Sequence, residues 1–239
     1  MMLGQAALAM WWDMAPAMRA EFEHWHSHEH FPERLALPGF WRGSRWADAE
    51  GGEGFFVLYE LDTYEALVSP DYLARLNAPS PWSQALMPHH RGMVRSQCRV
   101  IESAGGAVSG HALTARFAPA PGGQERLRTH LAARVEQWPA RPGLTGAHLL
   151  RTDTPPIAAT TEQKIRGHAD RAADWILVIN GYDPQALRGL AEGELSPAAL
   201  RRAGAQGDVI VGTHVLRLSM VAAEARPTVR KSAPIPGCP

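Results

Sequence analysis

Histidines occupy every second position of the stretch EFEHWHSHEHFPER, residues 21–34, from His24 to His30. Neutral imidazole ligates zinc-like ions, and imidazole also exchanges protons near neutral pH, so the run suggests either a metal site or acid–base chemistry. On a helix, at about 100° per residue, a period of two does not converge. Met18, Phe22 and Trp25 form one apolar stripe with Glu29 on the same side, while His24 and His28 flank one edge and His26 and His30 the other. The run therefore splits into two pairs aimed apart. Each pair can offer two ligands, but a stable site needs a third and usually a fourth. The H-E-x-x-H order is absent, since His26 and His30 enclose Ser27, His28 and Glu29. No bound metal is expected. The plainer alternative is that these are solvated or boundary side chains. Pro32 is predicted to end the helix nearby, placing His30 in a C-terminal turn whose carbonyls would raise its proton affinity.

The elements that must position these side chains come in a repeating order. Strand candidates ALAMWW, GFWRGSRW, FFVLYEL and MVRSQCRVI surround a helical segment from about Pro16 to His30 and others from Tyr64 to about His89. In the second half GHALTARF, GLTGAHLLR, DWILVIN and DVIVGTHVLRLSM surround GQERLRTHLAARVEQW and the pair DPQALRGLAEG and SPAALRRAG. Both halves read β-α-β-β-α-β, and Pro38-Gly39-Phe40 corresponds to Pro142-Gly143-Leu144. The class is α+β: two four-stranded antiparallel sheets, each with both helices on one face, packed together as a barrel with a polar-tinged cleft inside. The strand order 4-1-3-2 is expected in each. The units are residues 1–104 and 105–221, and the proline-rich residues 222–239 form a tail.

Composition excludes several partners. Among 239 residues, Lys plus Arg and Asp plus Glu both total 24, with no long basic stripe, so nucleic acid is not an expected partner. Cys98 and Cys238 make neither a disulfide framework nor a thiolate metal site, which suits a cytoplasmic protein. The start MMLGQAALAMWWDMAP lacks a basic region and a small-residue cleavage site, and no apolar run reaches the roughly 18 residues of a membrane span.

The run EFEHWHSHEHFPERLALPGF and the later LYELDTYEALVSPDYLARLNAPSPW together resemble the dimeric α/β-barrel superfamily, in particular uncharacterised bacterial two-repeat members related to the EthD-like group. The matching residues are Phe22, Trp25, Glu29-His30, Pro32-Glu33-Arg34, Pro38-Gly39, SPDYL and PSPW. They cover nearly all of the first half, whereas the second matches in layout and around TTEQKIRG. The resemblance implies tandem ferredoxin-like repeats forming an intrachain dimeric α/β barrel with helices outside. The superfamily includes cofactor-free isomerases, dehydratases, decarboxylases and monooxygenases, and also haem enzymes such as chlorite dismutase-like proteins. Of the four histidines only His30 carries the resemblance. As a catalytic acid or base it would be oriented by Glu29 or Glu33, with Arg34 holding negative charge. The competing role is structural, with His30 and Arg34 tying the turn to the sheet and Glu33 as ion-pair partner.

Substrate-binding candidates lie on the strands and in one loop. Alternation places Trp12 with Met10 and Leu8 on one face of the first strand, and Phe40, Arg42, Ser44 and Trp46 on one face of the second. An arginine beside tryptophans suits an anionic or aromatic ligand. His111, His148 and His214 fall on different strands, where His111 and His214 could touch while His148 lies at the far edge. The loop TDTPPIAATTEQKIRGHADRA is long for a compact domain and could close over the cleft, bringing Thr161, Glu162, Lys164, Arg166 and His168 to bind an anion. Two functions follow. One is a cofactor-independent enzyme transferring protons on a small organic acid, ketone or aromatic catabolite; the other is a non-catalytic small-molecule or metal-binding protein. A small-molecule ligand is the expected partner, with a homodimer through an exposed edge or helix face.

Overall fold

A computed structural model of the chain describes residues 1–155, 157–167 and 170–225. Its strands are β1 (Ala6–Met14), β2 (Phe40–Asp48), β3 (Gly54–Leu61), β4 (His90–Gly105), β5 (His111–Pro119), β6 (Leu144–Thr152), β7 (Trp175–Gly181) and β8 (Ala205–Val221). They close a barrel in the order β1-β3-β2-β8-β5-β7-β6-β4. Every pairing is antiparallel. The first four strands therefore lie in the order 4-1-3-2 and the last four in the same relative order. β2 joins β8 and β4 joins β6, so among the described residues the barrel leaves no free sheet edge for a homodimer to use.

Three apolar layers hold the barrel. Outside the first four strands, Trp12, Phe55, Val57 and Tyr59 pack against Phe22, Trp25, Phe31 and Leu35. Outside the last four, Leu113, Phe117, Leu149 and Leu177 pack against Leu127, Leu131, Val135 and Leu187. Inside, Trp11, Trp46, Phe56, Leu58, Cys98, Leu150 and Val178 fill the space. Instead of the expected polar-tinged cleft, this layer of apolar side chains occupies the barrel interior among the described residues, as an eight-stranded barrel allows.

The helices are α1 (Arg19–Trp25), α2 (Phe31–Leu35), α3 (Pro70–Asn77), α4 (Pro81–Leu86), α5 (Gln124–Gln137), α6 (Thr161–Arg166), α7 (Pro184–Glu192) and α8 (Pro197–Ala203). Between α1 and α2 the residues His26–His30 form a π-helical turn. This corrects the expectation that Pro32 ends the helix. Proline has no N–H and its ring clashes with the carbonyl four residues back in an α ladder. The wider turn shifts that ladder, Pro32 enters the first turn of α2, and the helix runs to Leu35. Gly43 of β2 lets α2 seat closely: a Cβ there would lie 2.3 Å from the Phe31 ring.

No helix among the described residues is long and apolar enough to cross a membrane. The tail beyond residue 225, with Cys238, lies outside the described residues, as does His168.

Candidate functional site

The π-turn decides which histidines enter the protein. His26 and His30 are buried while His24 and His28 are exposed, so the two pairs do separate as their spacing implies. The inward pair lies over the outer face of β1 and β4, and stacks with ring centroids 5.3 Å apart at 24°. His90, at the start of β4, comes to the same place, 5.3 Å from the ring of Trp12. Trp25 lies 4.6 Å from His30 and 6.1 Å from His90. Together with Tyr59, Tyr72, Arg34, Arg95 and Arg166 they line a cavity between helix and sheet. Its volume is about 40 Å³, room for a few waters and far too small for a porphyrin.

Burial sets the charge state of all three histidines. It pushes His26 and His30 well below the ordinary histidine value, helped by Arg45 for the first and Arg34 for the second. His90 is lowered to about 4 by burial and then by Arg166. The expectation that helix-end carbonyls raise the proton affinity of His30 is thereby reversed. His30 sits within a continuing helix, and desolvation disfavours its cation. The Nδ1 atoms of His26 and His30, the Trp12 indole N–H and the Tyr59 hydroxyl are buried without hydrogen-bond partners among the described residues. Burial also raises the Tyr59 phenol, keeping it protonated.

Cationic side chains surround these neutral groups. Arg34 donates to Glu162, and both are buried. Burial works against the charge of Arg34, but Glu162 together with Tyr72 and Tyr59 outweighs it and raises the arginine's proton affinity. Arg95 donates to the Tyr72 hydroxyl at 2.8 Å and to Gln97 at 3.1 Å. Arg166 pairs with Asp170 at 2.7 Å.

Glu162 and Arg166 arrive from the second half of the chain on α6. A capping box built by Thr160 and Gln163 starts this helix, and Gly167, at φ 75°, ends it in the left-handed conformation that glycine permits. Asn77 of α3 accepts from the Thr161 N–H at 3.0 Å and pins the helix across the cavity. The long loop therefore closes over a cavity, as its length suggests, but outside the barrel.

The other predicted residues divide. Trp12 and Arg166 line the cavity with His30 and Arg34. Glu29 accepts from the Trp25 indole at 3.1 Å and from the Ser80 hydroxyl, so it braces the helix rather than orienting His30. Glu33 pairs with Arg75 and, at 3.5 Å, with Arg34. Trp46 is in the barrel interior, its ring centroid 5.1 Å from that of Phe56. A register shift between Phe40 and Arg42 breaks the single face expected for β2. Arg42 instead pairs with Glu60 at 2.6 Å. Lys164 does not line the cavity. His214 shares a hydrogen bond with Thr114 at 3.1 Å and His148 one with Ser103 at 2.8 Å, and neither bond reaches His111. Among the described residues no three His, Cys, Asp or Glu side chains gather as metal ligands.

His90, Arg95, Tyr59 and Tyr72 escaped sequence reasoning. Alternation of Met93, Arg95 and Gln97 is the signal that would have found Arg95; His90 is out of phase with it and shares that side through the register shift between Arg91 and Val94.

No family model matches the chain, and no curated protein matches it. Solved structures do. An anthrone oxidase-like protein is similar with a TM-score of 0.61 at 10% identity, covering 95% of this chain and 97% of its own. A candidate monooxygenase from Fusobacterium nucleatum gives 0.60 at 8% identity over 92% and 96%. One from Lactobacillus acidophilus gives 0.54 at 10% over 91% and 97%. At such identities the likeness reaches the architecture alone: this chain has the ferredoxin-like dimeric α/β-barrel fold.

Proposed function

We propose that the chain is a cofactor-independent enzyme that transfers protons on a small organic acid, ketone or aromatic catabolite, in a reaction of isomerase, dehydratase or decarboxylase type, the first two beginning with removal of a C–H proton. The observation that supports this reading is the meeting of two neutral histidines having free Nδ1 atoms with buried arginines, in a cavity walled by aromatic rings. In this reading a substrate C–H bond breaks, its proton passes to the imidazole of His30, and the electron pair moves onto a substrate oxygen. Arg34, Arg95 and Arg166 hold that developing charge. The positive field that, after burial, disfavours the His30 cation also makes the bound substrate more acidic. Trp12, Trp25, Tyr59 and Tyr72 favour a flat ligand, a shape that suits the anthrone type in the name of one structural neighbour.

The cavity holds no such molecule while α6 is down. In the proposed cycle α6 lifts, and the substrate's carboxylate or enolate oxygen replaces Glu162 on Arg34.

Solvent-deuterium incorporation into anthrones, cyclic 1,3-diketones and aromatic keto acids, read by mass spectrometry, tests the proposal. The enzyme should accelerate exchange for at least one class, and His30→Gln should slow it by roughly 10²–10⁴-fold. Ligand binding with exchange no faster than buffer would leave a non-catalytic binding protein of the same fold.

We also read residues 1–104 and 105–221 as tandem copies of one unit, related to the EthD-like group. In support, Gly39 and Gly143 adopt positive φ angles of 83° and 90° after Pro38 and Pro142. The carbonyl of Gly39 accepts from the Asp62 N–H, as that of Gly143 does from Tyr182. A cytoplasmic location and a homodimer through a helix face complete the proposal. Light scattering tests the latter.

A further inference from the structure

β4 separates two cavities. Met93 and Arg95 face the histidine pocket, while Val94 between them faces a second cavity of about 230 Å³ at one mouth of the barrel. Its lining includes Arg116, Phe117, Arg171, Asp174, Asp208 and Ile210. The Arg116 guanidinium lies over the Trp11 ring, 4.7 Å from its centroid. Its Nε is buried and has no hydrogen-bond partner among the described residues.

The backbone of Arg171 is tied to β4. Its N–H donates to the Met93 carbonyl at 3.0 Å, and its carbonyl accepts from the Arg95 N–H at 2.8 Å. Neither Arg116 nor Arg171 has an ion-pair partner among the described residues. Burial, followed by the charge of Arg171, lowers Arg116 to about 10 against the opposing pull of Asp13. Asp174 and Asp208 are exposed at the mouth, as Arg171 is, and neither forms an ion pair with Arg116 or Arg171 among the described residues. Arg116, half-buried with an unpartnered Nε, and Arg171 at the exposed mouth thus offer two guanidinium groups next to the apolar surfaces of Val94, Phe117 and Ile210. Guanidinium groups bind carboxylate and phosphate through charge-assisted hydrogen bonds, and most strongly where water is excluded.

We propose that this cavity binds a small oxyanion, a carboxylate or a phosphate group, between Arg116 and Arg171, with any apolar part of the ligand against Val94, Phe117 and Ile210. The site is separate from the histidine pocket and does not depend on the function proposed for it.

Calorimetric titration of the full chain with benzoate, and separately with inorganic phosphate, tests the assignment. Saturable binding of one equivalent of either supports it: tighter benzoate points to a carboxylate with an apolar body, tighter phosphate to the free ion. Arg171→Ala should weaken binding about tenfold or more. Ile210→Asp, at an exposed wall position, should do the same without touching either arginine. His30→Gln should leave it intact. Absence of saturable binding, binding unchanged in both Arg171→Ala and Ile210→Asp, or loss of binding in His30→Gln would overturn the proposal.

Discussion

The two halves of the barrel bury the same kind of helix–sheet interface with opposite chemistry. In the first, His26, His30, His90, Arg34 and Arg95 sit between helix and strands. In the second, α5 presents Leu127, Leu131 and Val135 to Leu113, Ala115, Phe117 and Leu177. The backbone differs accordingly. α5 is one regular helix from Gln124 to Gln137, whereas the first half breaks its helix with a π-turn at the histidines, the kind of irregularity often found at functional sites. One interface is apolar throughout, and the other, apolar around Phe22, Trp25 and Phe31, also accepts unpaired polar atoms whose burial works against folding. The second half's contribution to chemistry is α6, which carries Glu162 and Arg166 across to its neighbour.

Several perturbations sharpen this division. The largest stability change should come from the apolar half: Leu131→Ala should cost about 2–5 kcal/mol in urea unfolding. A loss as small as that of a surface substitution would deny that this interface carries the barrel.

The polar half should make stability depend on pH. His90, held at about 4 in the folded protein against about 6.5 unfolded, is neutral when folded and takes up a proton on unfolding. Its contribution is complete above about pH 6.5 and is lost as pH falls towards 4, an effect on the order of 3 kcal/mol. Urea midpoints measured at pH 7.5, 6 and 5 should fall in that order. His214, also lowered to about 4 by burial, contributes with the same sign. His90→Phe should remove part of the slope.

The smallest change should come from the outward pair. Replacing both His24 and His28 by alanine should move stability by about 0.5 kcal/mol or less and leave the deuterium exchange unaltered.

Much of this contrast was legible in the residues. The β-α-β-β-α-β order, the strand order and the outward and inward histidine pairs all follow from periodicity, because the apolar stripe of Met18, Phe22 and Trp25 must face the sheet. The Leu8, Met10 and Trp12 face of β1 was legible for the same reason. The location of the cavity was not. Alternation says that a strand has two faces, and it does not say which face of a closed barrel has spare room. A regular α-helical ladder did not show how Pro32 is accommodated, and the irregular register between Phe40 and Arg42 turns Phe40 to the outer layer while Trp46 stays in the interior. One of the two partners of Glu29, Ser80, lies 51 residues away and was not legible locally. His90 and the Arg34–Glu162 pair depend on contacts of long sequence separation that no local pattern encodes.

The central claim is that His26 and His30 are neutral proton acceptors buried in the first half. NMR titration of histidine-labelled protein, with assignments from His26→Gln and His30→Gln, tests it most directly. Both rings should keep the shifts of neutral imidazole from pH 8 down to pH 5. Protonation of either ring with a midpoint at or above the ordinary histidine value of about 6.5 would contradict the account.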